Sequence, residues 1–339
     1  MDKTAHFCTY FDSKYICHGL ALYRSLERMR VDFFLWVLCL DAKAYDVLNE
    51  LKLPSMGLVR LEDFEAGDKE LLQAKGNRSK IEYYWTCTPS WLLYVFRKQP
   101  DLTTLVYLDS DIMFFNPPQP IFEALGDDSI LIVPHDFHAG KEDNTGRFNV
   151  GVMAFRRDSN SFACLQWWRE RCNEWCYHRN EDGKCGDQGY LDQFPTLFKQ
   201  VAISDFPCIN AGPWNIGKYE LSANSEGQPT VAGVPLVCFH YHSLRFFGKR
   251  SAHLWVTRGV WTTALKNAVM RPYLEQLLLN EAELLLKFEG LGLPRIPFPW
   301  RTVFSNVKHW RLFDGFTRAR RTLKPSPSTE TSGTSNPRP

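Results

Sequence analysis

The longest uninterrupted apolar stretch of the 339-residue chain is FFLWVLCL, residues 33–40. A continuous run of this kind is typical of a parallel strand buried on both faces, and it is far too short to cross a bilayer. Apolar residues recur at helical spacing on either side, at 15–28 and 42–51, and further strand-like runs lie at 6–10 and 58–61. The chain therefore opens β-α-β-α-β, which predicts a doubly wound α/β sheet.

The same patterns continue along the chain. Strands are predicted at 104–108, 129–134, 148–156 and 236–241, and helices at 85–97, 161–177, 187–194 and 261–289. Thr88 and Pro89 are a typical cap and first position for the helix predicted at 85–97.

Three regions are expected from these patterns. Residues 1–250 should form an α/β domain with a mostly parallel sheet flanked by helices. Residues 251–324 should form a helical, basic C-terminal region. Residues 325–339 are rich in Pro, Ser and Thr, cannot bury a core, and predict a disordered tail.

Charge is distributed unevenly. The net charge is only +2, yet residues 295–324 hold eight Lys or Arg and one acid, Asp314. Aromatic residues are interspersed among these cations, which suits a helix on an anionic membrane surface; the alternative is a solvated helix that packs its rings on the main domain.

No signal-peptide-like segment precedes the first strand, so we expect a cytoplasmic protein, free or resting on the inner face of a membrane. We expect no nucleic acid among its partners.

Ten cysteines are spread along the chain, several of them inside apolar strand-like runs. This pattern favours buried free thiols in a reducing compartment over a disulfide framework. Cys172, Cys176, His178 and Cys185 are close in sequence, but their spacing matches no standard zinc site. We therefore expect no zinc there.

Two acids follow the strand predicted at 104–108. Asp109-Ser110-Asp111 stands at its carboxyl end, where open α/β sheets bind ligands. Carboxylates so placed are costly unless they are solvated, paired or metal-bound. A hard divalent cation prefers oxygen ligands and commonly keeps diphosphate oxygens in its shell, so the position predicts a metal and diphosphate site. A solvated turn that merely ends the strand is the alternative.

Asp109-Ser110-Asp111 resembles the Asp-x-Asp signature of glycosyltransferases with the Rossmann-like GT-A fold. More narrowly, the chain resembles the family-8 glycosyltransferases, which include glycogenin and bacterial lipopolysaccharide galactosyltransferases. Other blocks match in the same order: residues 9–15 and 19–26, Phe148-Asn149-Val150-Gly151-Val152, Asp187-Gln188-Gly189-Tyr190-Leu191, and His240-x-His242. Together they cover roughly residues 5–247.

The resemblance implies a nucleotide-sugar site and a metal site. The nucleotide-sugar site comprises Thr9, Tyr10, Tyr15, Arg78, Lys80, Asp109, Ser110, Asn149 and Gly151, where Arg78 and Lys80 are the nearest candidates for a basic residue ahead of the acidic motif. The divalent cation, Mn²⁺ or Mg²⁺, would be held by Asp109, Asp111 and one late His. Because side chains alternate along a strand, at most one of His240 and His242 faces the metal, and His240, which continues the strand, is favoured.

Asp187 and Gln188 are the catalytic residues that the resemblance implies. Asp187 would bind a sugar hydroxyl, and Gln188 would lie against the anomeric carbon and stabilise positive charge there. From the residues alone, Asp187 could instead cap a helix, and Asn149 could be a buried Asn satisfied by the backbone. Gly151 leaves space for a ligand to approach, and Trp214 either stacks on a sugar or packs in the core.

The function that these features predict is a metal-dependent glycosyltransferase. It would move a sugar from a nucleotide-diphosphate donor, UDP-linked by the resemblance, to a glycan or lipid-linked acceptor with retention. One alternative is a nucleotidyltransferase that makes nucleotide sugars, which would need a Gly-rich phosphate loop where the chain has residues 10–14, YFDSK. The other is a catalytically inactive sugar-binding protein, against which the intact acids, Gln188 and a late His argue.

Overall fold

The computed structural model describes residues 4–137, 145–247, 251–254, 262–297 and 316–318. The α-helices are α1 (Ile16–Arg28), α2 (Ala42–Leu51), α3 (Leu61–Glu65), α4 (Lys69–Lys75), α5 (Lys80–Lys98), α6 (Gln119–Leu125), α7 (Ser159–Glu174), α8 (Phe194–Leu197) and α9 (Arg271–Lys287). The strands are β1 (Ala5–Phe11), β2 (Phe33–Cys39), β3 (Met56–Arg60), β4 (Thr104–Leu108), β5 (Ile112–Phe114), β6 (Ile130–Pro134), β7 (Phe148–Arg156), β8 (Val201–Ile203), β9 (Leu221–Ala223), β10 (Pro229–Val231), β11 (Val234–Pro235), β12 (Cys238–His240), β13 (Arg245–Phe247), β14 (Ser251–His253), β15 (Arg295–Ile296) and β16 (Phe316–Arg318). Two 3₁₀ turns lie at Ser13–Tyr15 and Gln188–Gln193, and a π-helical turn at Leu265–Met270 precedes α9.

The main sheet has seven strands in the order β3-β2-β1-β4-β7-β6-β8. Strands β1 to β4 are parallel, and β7 alone runs against its two neighbours, β4 and β6. The predicted mostly parallel α/β sheet and its β-α-β-α-β opening are therefore confirmed. Because β1 and β4 are adjacent and parallel, their carboxyl ends meet at one edge of the sheet.

Each face of the sheet carries its own hydrophobic core. Alternate residues of one strand point to opposite faces: Val106 belongs to the core that includes α1 and α2, whereas Tyr107 belongs to the core that includes α5 and α7. Helices thus cover both faces, and the strands between them are buried on both sides, as their continuous apolar runs require.

Helix α5 begins earlier than predicted. Its N-terminus is a capping box, in which the Ser79 backbone N–H donates to Glu82 (2.8 Å) and the Ser79 side chain accepts from the Glu82 backbone N–H. The prediction of Thr88 as the cap and Pro89 as the first helical residue is wrong. Both residues lie in the interior of α5, where Pro89 has no N–H to donate to the preceding turn.

A two-stranded antiparallel pair, β5 with β12, lies outside the main sheet. β5 follows the acidic motif directly, and its pairing places Ile112 opposite His240. A chain segment from late in the sequence is thereby placed beside Asp111. The strand predicted at 236–241 is shorter than expected, because only its central residues pair with β5.

The C-terminal region is helical only in part. α9 packs on α1, where Asn280 donates to the Cys17 carbonyl (2.8 Å) and Arg24 donates to Asn280 (2.7 Å). The predicted helical character is present in α9, and the short strands β13, β14, β15 and β16, which the sequence did not predict, form a four-stranded sheet. Most of the basic segment 295–324 and all of the tail 325–339 lie outside the described residues, and the division at residue 250 stays a prediction.

Nine of the ten cysteines are buried free thiols, and Cys185 is only partly buried, which agrees with the predicted buried thiols. Among the described residues, no helix combines the length and the apolar character that a bilayer crossing requires.

Candidate functional site

Asp109, Asp111 and His240 converge where β4 ends. The turn after β4 is held by a hydrogen bond from the Ile112 N–H to the Asp109 carbonyl (3.3 Å), and the Tyr241 N–H donates to the Asp111 carbonyl (2.9 Å). The imidazole Nε2 of His240 lies 3.0 Å from a carboxylate oxygen of Asp111 and 3.4 Å from one of Asp109. The ligand atoms of the three residues lie within 4.8 Å of one another, and the described part of the chain holds no other such His/Cys/Asp/Glu group.

The three side chains are strongly coupled electrostatically. Desolvation, together with the negative charge of Asp111, raises the pKa of Asp109 despite the opposing charge of His240. Burial acts in the same direction on Asp111, but the charge and hydrogen bond of His240 outweigh it and bring the pKa of Asp111 to about 2. Burial by itself would lower the pKa of His240, yet the two carboxylates raise it. The cluster thus has an excess of negative charge that a cation would neutralise.

The donor set fits a divalent cation. Two carboxylates and one imidazole supply oxygen and nitrogen, and adjacent octahedral ligands of an ion with bonds of about 2.1 Å lie about 3 Å apart. The separations of 3.0 and 3.4 Å around Nε2 of His240 match that spacing. The side chain of Asp109 is 32% exposed and that of Asp111 17%, against 3% for His240, so the carboxylates are open to a ligand on one side.

His242 lies close by but outside this group. Its ring centre is 5.9 Å from that of His240 and 6.2 Å from that of Trp214. Burial, followed by the charge of His240, lowers its pKa. The geometry thus favours His240 over His242 as the third member of the cluster.

Asp187 is held by Thr88. Its carboxylate accepts a hydrogen bond from the Thr88 hydroxyl (2.8 Å), and its carbonyl accepts one from the indole N–H of Trp168 (2.8 Å). It makes no capping hydrogen bond to the 3₁₀ turn that follows, so its interpretation as a helix cap is wrong. Burial and, to a smaller extent, the charge of Asp109 raise the pKa of Asp187 to about 7, although the Thr88 hydroxyl acts in the opposite direction.

Gln188 begins the 3₁₀ turn that follows Asp187. Its amide donates to the carbonyl of Thr145 (3.0 Å), the first described residue after the break at 138–144. The side chain is only partly buried. Its position against an anomeric carbon stays a prediction.

Asn149 is buried within a network of polar side chains. Its Oδ1 accepts from the Gly151 N–H (2.9 Å) and from Asn210 (3.0 Å), and its Nδ2 lies 3.1 Å from Nε2 of His135. The alternative of a buried Asn satisfied by the backbone describes these contacts only in part, because one comes from the backbone and two come from side chains.

Gly151 and Trp214 both pack against His240. The imidazole of His240 occupies the space that Gly151 leaves, where the sequence interpretation placed a ligand. Trp214 lies edge-on to His135 (5.5 Å between ring centres) and to His240 (5.1 Å) and is 9% exposed. Its buried position agrees with the core-packing alternative.

The predicted nucleotide loop lies at the carboxyl end of β1. Thr9 is fully buried with a hydroxyl that has no partner among the described residues, and the Tyr10 hydroxyl lies 3.0 Å from that of Thr88. Tyr15 is 43% exposed at the end of the 3₁₀ turn. Ser110 is partly buried in the turn between β4 and β5. These residues share one edge of the sheet, while their contact with a nucleotide stays a prediction.

Lys80 and Arg78 differ in their surroundings. The ammonium of Lys80 pairs with Asp12 of the loop after β1 (3.0 Å) while its side chain stays 60% exposed. The guanidinium of Arg78 donates to the Tyr177 hydroxyl (2.7 Å) and to the Asn173 carbonyl (3.1 Å) near the end of α7. Lys80 is therefore linked to the candidate site through Asp12. Arg78 instead binds residues at and just after the end of α7.

Two residues near the acidic cluster, His18 and Arg245, were missed from sequence. Partial burial raises the pKa of Tyr15 to about 12, with a further contribution from Asp111, and the nearby charge of Arg245 opposes both. Burial lowers the pKa of His18 to about 4 against the attraction of Asp111, and its Nδ1 has no partner in the part of the chain that the structure describes. The sequence analysis expected the basic residue of the site ahead of the acidic motif. Arg245 instead follows the late His residues in the chain.

A cavity of about 480 Å³ adjoins the polar network around Asn149. Asn210 both lines this cavity and donates to Asn149. Its other polar lining residues include Asp136, Arg147, Asp205, Lys218 and Tyr219, and Phe206 adds an apolar ring. The cavity has the mixed lining that suits a small polar ligand.

The chain is similar to two curated proteins of Bacillus subtilis (strain 168). It is 35% identical to the uncharacterized protein YfnF over 251 residues, which cover 71% of this chain and 82% of YfnF. It is 30% identical to the uncharacterized protein YfnD over 277 residues, which cover 80% of this chain and 88% of YfnD. The chain belongs to the family of YfnF and YfnD. No protein-family model matches this YfnF-family chain.

Solved structures of similar fold include the galactosyltransferase LgtC in complex with donor and acceptor sugar analogues. The TM-score is 0.51 and the sequence identity is 14%. The match covers 88% of the YfnF-family chain and 99% of the LgtC chain. An LgtC structure with an active-site substitution gives a TM-score of 0.50 at 15% identity, covering 87% and 99%. The YfnF-family chain thus has a GT-A-like glycosyltransferase fold, which confirms the predicted fold class. The narrower resemblance to family 8 stays a prediction.

Proposed function

We propose that this protein is a metal-dependent glycosyltransferase that uses a nucleotide-diphosphate sugar, with UDP as the nucleotide. The observation that carries the proposal is the convergence of Asp109, Asp111 and His240 within 4.8 Å at the carboxyl end of β4. This is the edge where open α/β sheets bind ligands. The fold it shares with LgtC, a galactosyltransferase crystallised with donor and acceptor sugar analogues, supports the same conclusion.

Asp109, Asp111 and His240 would hold the cation. Mn²⁺ suits this mixed set better than Mg²⁺, since Mg²⁺ is bound almost entirely by oxygen. When bound, the ion neutralises the charge that develops on a departing diphosphate. The chain's own contribution is a rigid ligand set, because β5–β12 pairing fixes His240 against the two acids.

Two cations near the cluster support a diphosphate-binding role. Arg245 is exposed, and its charge is close enough to act on Tyr15. Lys80 approaches from the start of α5 and pairs with Asp12. Both would attract the diphosphate and orient it toward Asp109 and Asp111, while Thr9, Tyr10 and Tyr15 would line the nucleoside.

Asp187 and Gln188 would handle the donor sugar. The carboxylate of Asp187 would accept a hydrogen bond from a sugar hydroxyl, and the Gln188 side-chain oxygen would lie near the anomeric carbon. An amide is a poor nucleophile, so Gln188 would stabilise positive charge there without forming a covalent intermediate, unlike the carboxylate pair of retaining glycosidases. We propose net retention through a same-face displacement.

The cavity beside Asn149 would bind the acceptor substrate. Asn210 joins the cavity to the polar network of the donor site, and hydroxyl-rich ligands suit its mixture of carboxylates and cations. A glycan or a lipid-linked sugar fits this lining. The membrane contact proposed for 295–324 and the cytoplasmic location stay predictions.

The test is a screen of UDP-sugars for UDP release with Mn²⁺, with Mg²⁺ and with EDTA. We expect release with at least one sugar, abolished by EDTA and by Asp111→Asn. Asp127→Asn, an exposed acid on the loop after α6, is the matched control and should release UDP like the wild type. Absence of release with every UDP-sugar and either metal would contradict the proposal.

Parallel reactions supplied with a nucleoside triphosphate and a sugar phosphate separate the alternatives. Pyrophosphate formed from a nucleoside triphosphate and a sugar phosphate, with no UDP release from any UDP-sugar, would indicate a nucleotidyltransferase. Binding of a UDP-sugar without turnover would indicate an inactive sugar-binding protein. NMR of the product's anomeric proton would test retention.

A further inference from the structure

Thr88 projects a hydroxyl from the interior of α5 into the candidate site. The residue is fully buried, and its hydroxyl donates to the Asp187 carboxylate at 2.8 Å. The Tyr10 hydroxyl lies 3.0 Å from the same oxygen. Because the single proton of Thr88 is directed at Asp187, Tyr10 is the donor of that second bond. The three side chains form a directed chain from Tyr10 through Thr88 to Asp187.

Asp187 is oriented in part by this chain. It is 6% exposed, and the hydrogen bonds that lower its pKa come from the Thr88 hydroxyl and from the backbone N–H groups of Asp187 and Gln188. These donors are neutral, and Thr88 is the side chain among them, so its hydroxyl helps to hold the buried carboxylate in one orientation. Asp109 is held similarly, by the Tyr107 hydroxyl at 2.8 Å. Tyr10 and Tyr107 lie side by side, with ring centres 5.8 Å apart.

A second threonine of α5, Thr86, uses its hydroxyl only within the helix and serves as a comparison for Thr88. Thr86 is equally buried, but its hydroxyl donates to the Glu82 carbonyl (2.9 Å) one turn earlier. Such a bond to the preceding turn is the usual use of a helical threonine. Thr88 directs its hydroxyl across to Asp187, so it is available to the site.

We propose that Thr88 is a positioning residue of the transfer reaction, whose hydroxyl, oriented by Tyr10, fixes the Asp187 carboxylate against the donor sugar. This role rests on the proposed function, in which Asp187 binds a sugar hydroxyl. A neutral hydroxyl holds the carboxylate in place without pairing its charge. The carboxylate then keeps its charge and its remaining lone pairs to accept from the sugar.

The test compares Thr88→Val with Thr86→Val, which removes an equally buried hydroxyl from the same helix. Loss of alignment at a reacting centre lowers rates by about 100-fold, so we expect that fall in kcat for Thr88→Val, with the donor KM nearly unchanged. Thr88→Ser keeps the hydroxyl and should restore most of the activity. Thr86→Val should keep the wild-type kcat. Thermal unfolding shows whether each variant folds, and Thr88→Ala replaces Thr88→Val if the latter does not.

Two results would overturn the role of Thr88 while leaving the proposed function intact. One is equal kcat for Thr88→Val and Thr86→Val in a wild type that turns over. The other is a loss in Thr88→Ser as large as that in Thr88→Val, which would assign the effect to the methyl group. A wild-type protein without turnover on any UDP-sugar would overturn the proposed function and this role together.

Discussion

The imidazole of His240 lies directly against the backbone of Gly151. A Cβ placed on Gly151 would be 2.5 Å from Nδ1 and 2.7 Å from Cε1 of His240, closer than real Cβ contacts come. The absence of a side chain at 151 therefore allows His240 to lie 3.0 Å from Asp111. A central strand of the sheet and a late strand thus fix the cluster together.

Gly151→Ala should displace His240 from the two acids. Displacement of a ligand or its support typically weakens metal binding by about 10- to 100-fold, so we expect Mn²⁺ affinity to fall by at least about 10-fold, with a parallel loss of UDP release. Titration of Mn²⁺ followed by EPR measures it. Gly76→Ala is the control, since a Cβ there comes no nearer than 3.4 Å to another atom. Unchanged Mn²⁺ affinity in Gly151→Ala would contradict the packing argument.

His240→Ala and His242→Ala should behave differently. Only His240 belongs to the group of ligand atoms within 4.8 Å, so its removal should abolish tight Mn²⁺ binding. His242→Ala should leave Mn²⁺ affinity within about threefold of the wild type, because a nearby uncoordinated imidazole changes only the local field. Isothermal titration of both variants gives the comparison. A greater loss with His242→Ala would assign the ligand to His242.

The fold was predictable wherever a strand is buried on both faces. The continuous apolar runs at 33–40 and 105–108 correspond to β2 and β4, and helices cover both of their faces as such runs require. Short paired segments were not predictable. β5 has three residues, and its partner β12 follows it by more than a hundred positions, so no local pattern indicates that they pair.

Most of the residues of the site could be predicted from the sequence, but the contacts between them could be predicted only in part. The acidic motif and a late His were found from the residues and the resemblance, because the acids directly follow β4 and His240 is the last residue of β12. The role of Gly151 was interpreted as space for a ligand, since the sequence does not show that His240 fills it. Thr88 was interpreted as a cap, because a Thr-Pro pair is a local signal, whereas its contact with Asp187 depends on the tertiary fold.

Ser79→Ala should destabilise the protein through α5. The capping box satisfies backbone N–H groups at the helix start, and loss of such a cap costs about 1 kcal/mol. Urea denaturation should show this decrease in the free energy of unfolding. Ser225→Ala, at an exposed turn position, should change stability by less than about 0.5 kcal/mol. Equal effects of the two substitutions would show that the cap does not stabilise α5.

Ionisation of the buried Asp187 carboxyl should lower the stability of the metal-free protein as the pH rises to neutral and above. Its pKa is raised to about 7, chiefly by burial, whereas an unfolded Asp titrates near 3.9. The folded state therefore binds this proton more tightly. Its contribution to stability is fully present below about pH 4 and is lost as the pH rises toward about 7, at about 1.4 kcal/mol per unit of pKa difference.

Asp187→Asn removes this titration while keeping the shape of the side chain. In EDTA, the variant should gain stability over the wild type progressively from pH 5 to pH 8, by a few kcal/mol at most (about 1.4 kcal/mol per pKa unit). Its transfer activity should fall, because an amide replaces the carboxylate that would accept the sugar hydroxyl. Urea denaturation at pH 5, 6.5 and 8 gives the stability differences. A difference that stays constant across this range would show that Asp187 titrates outside it, and that its burial does not oppose ionisation in the folded protein.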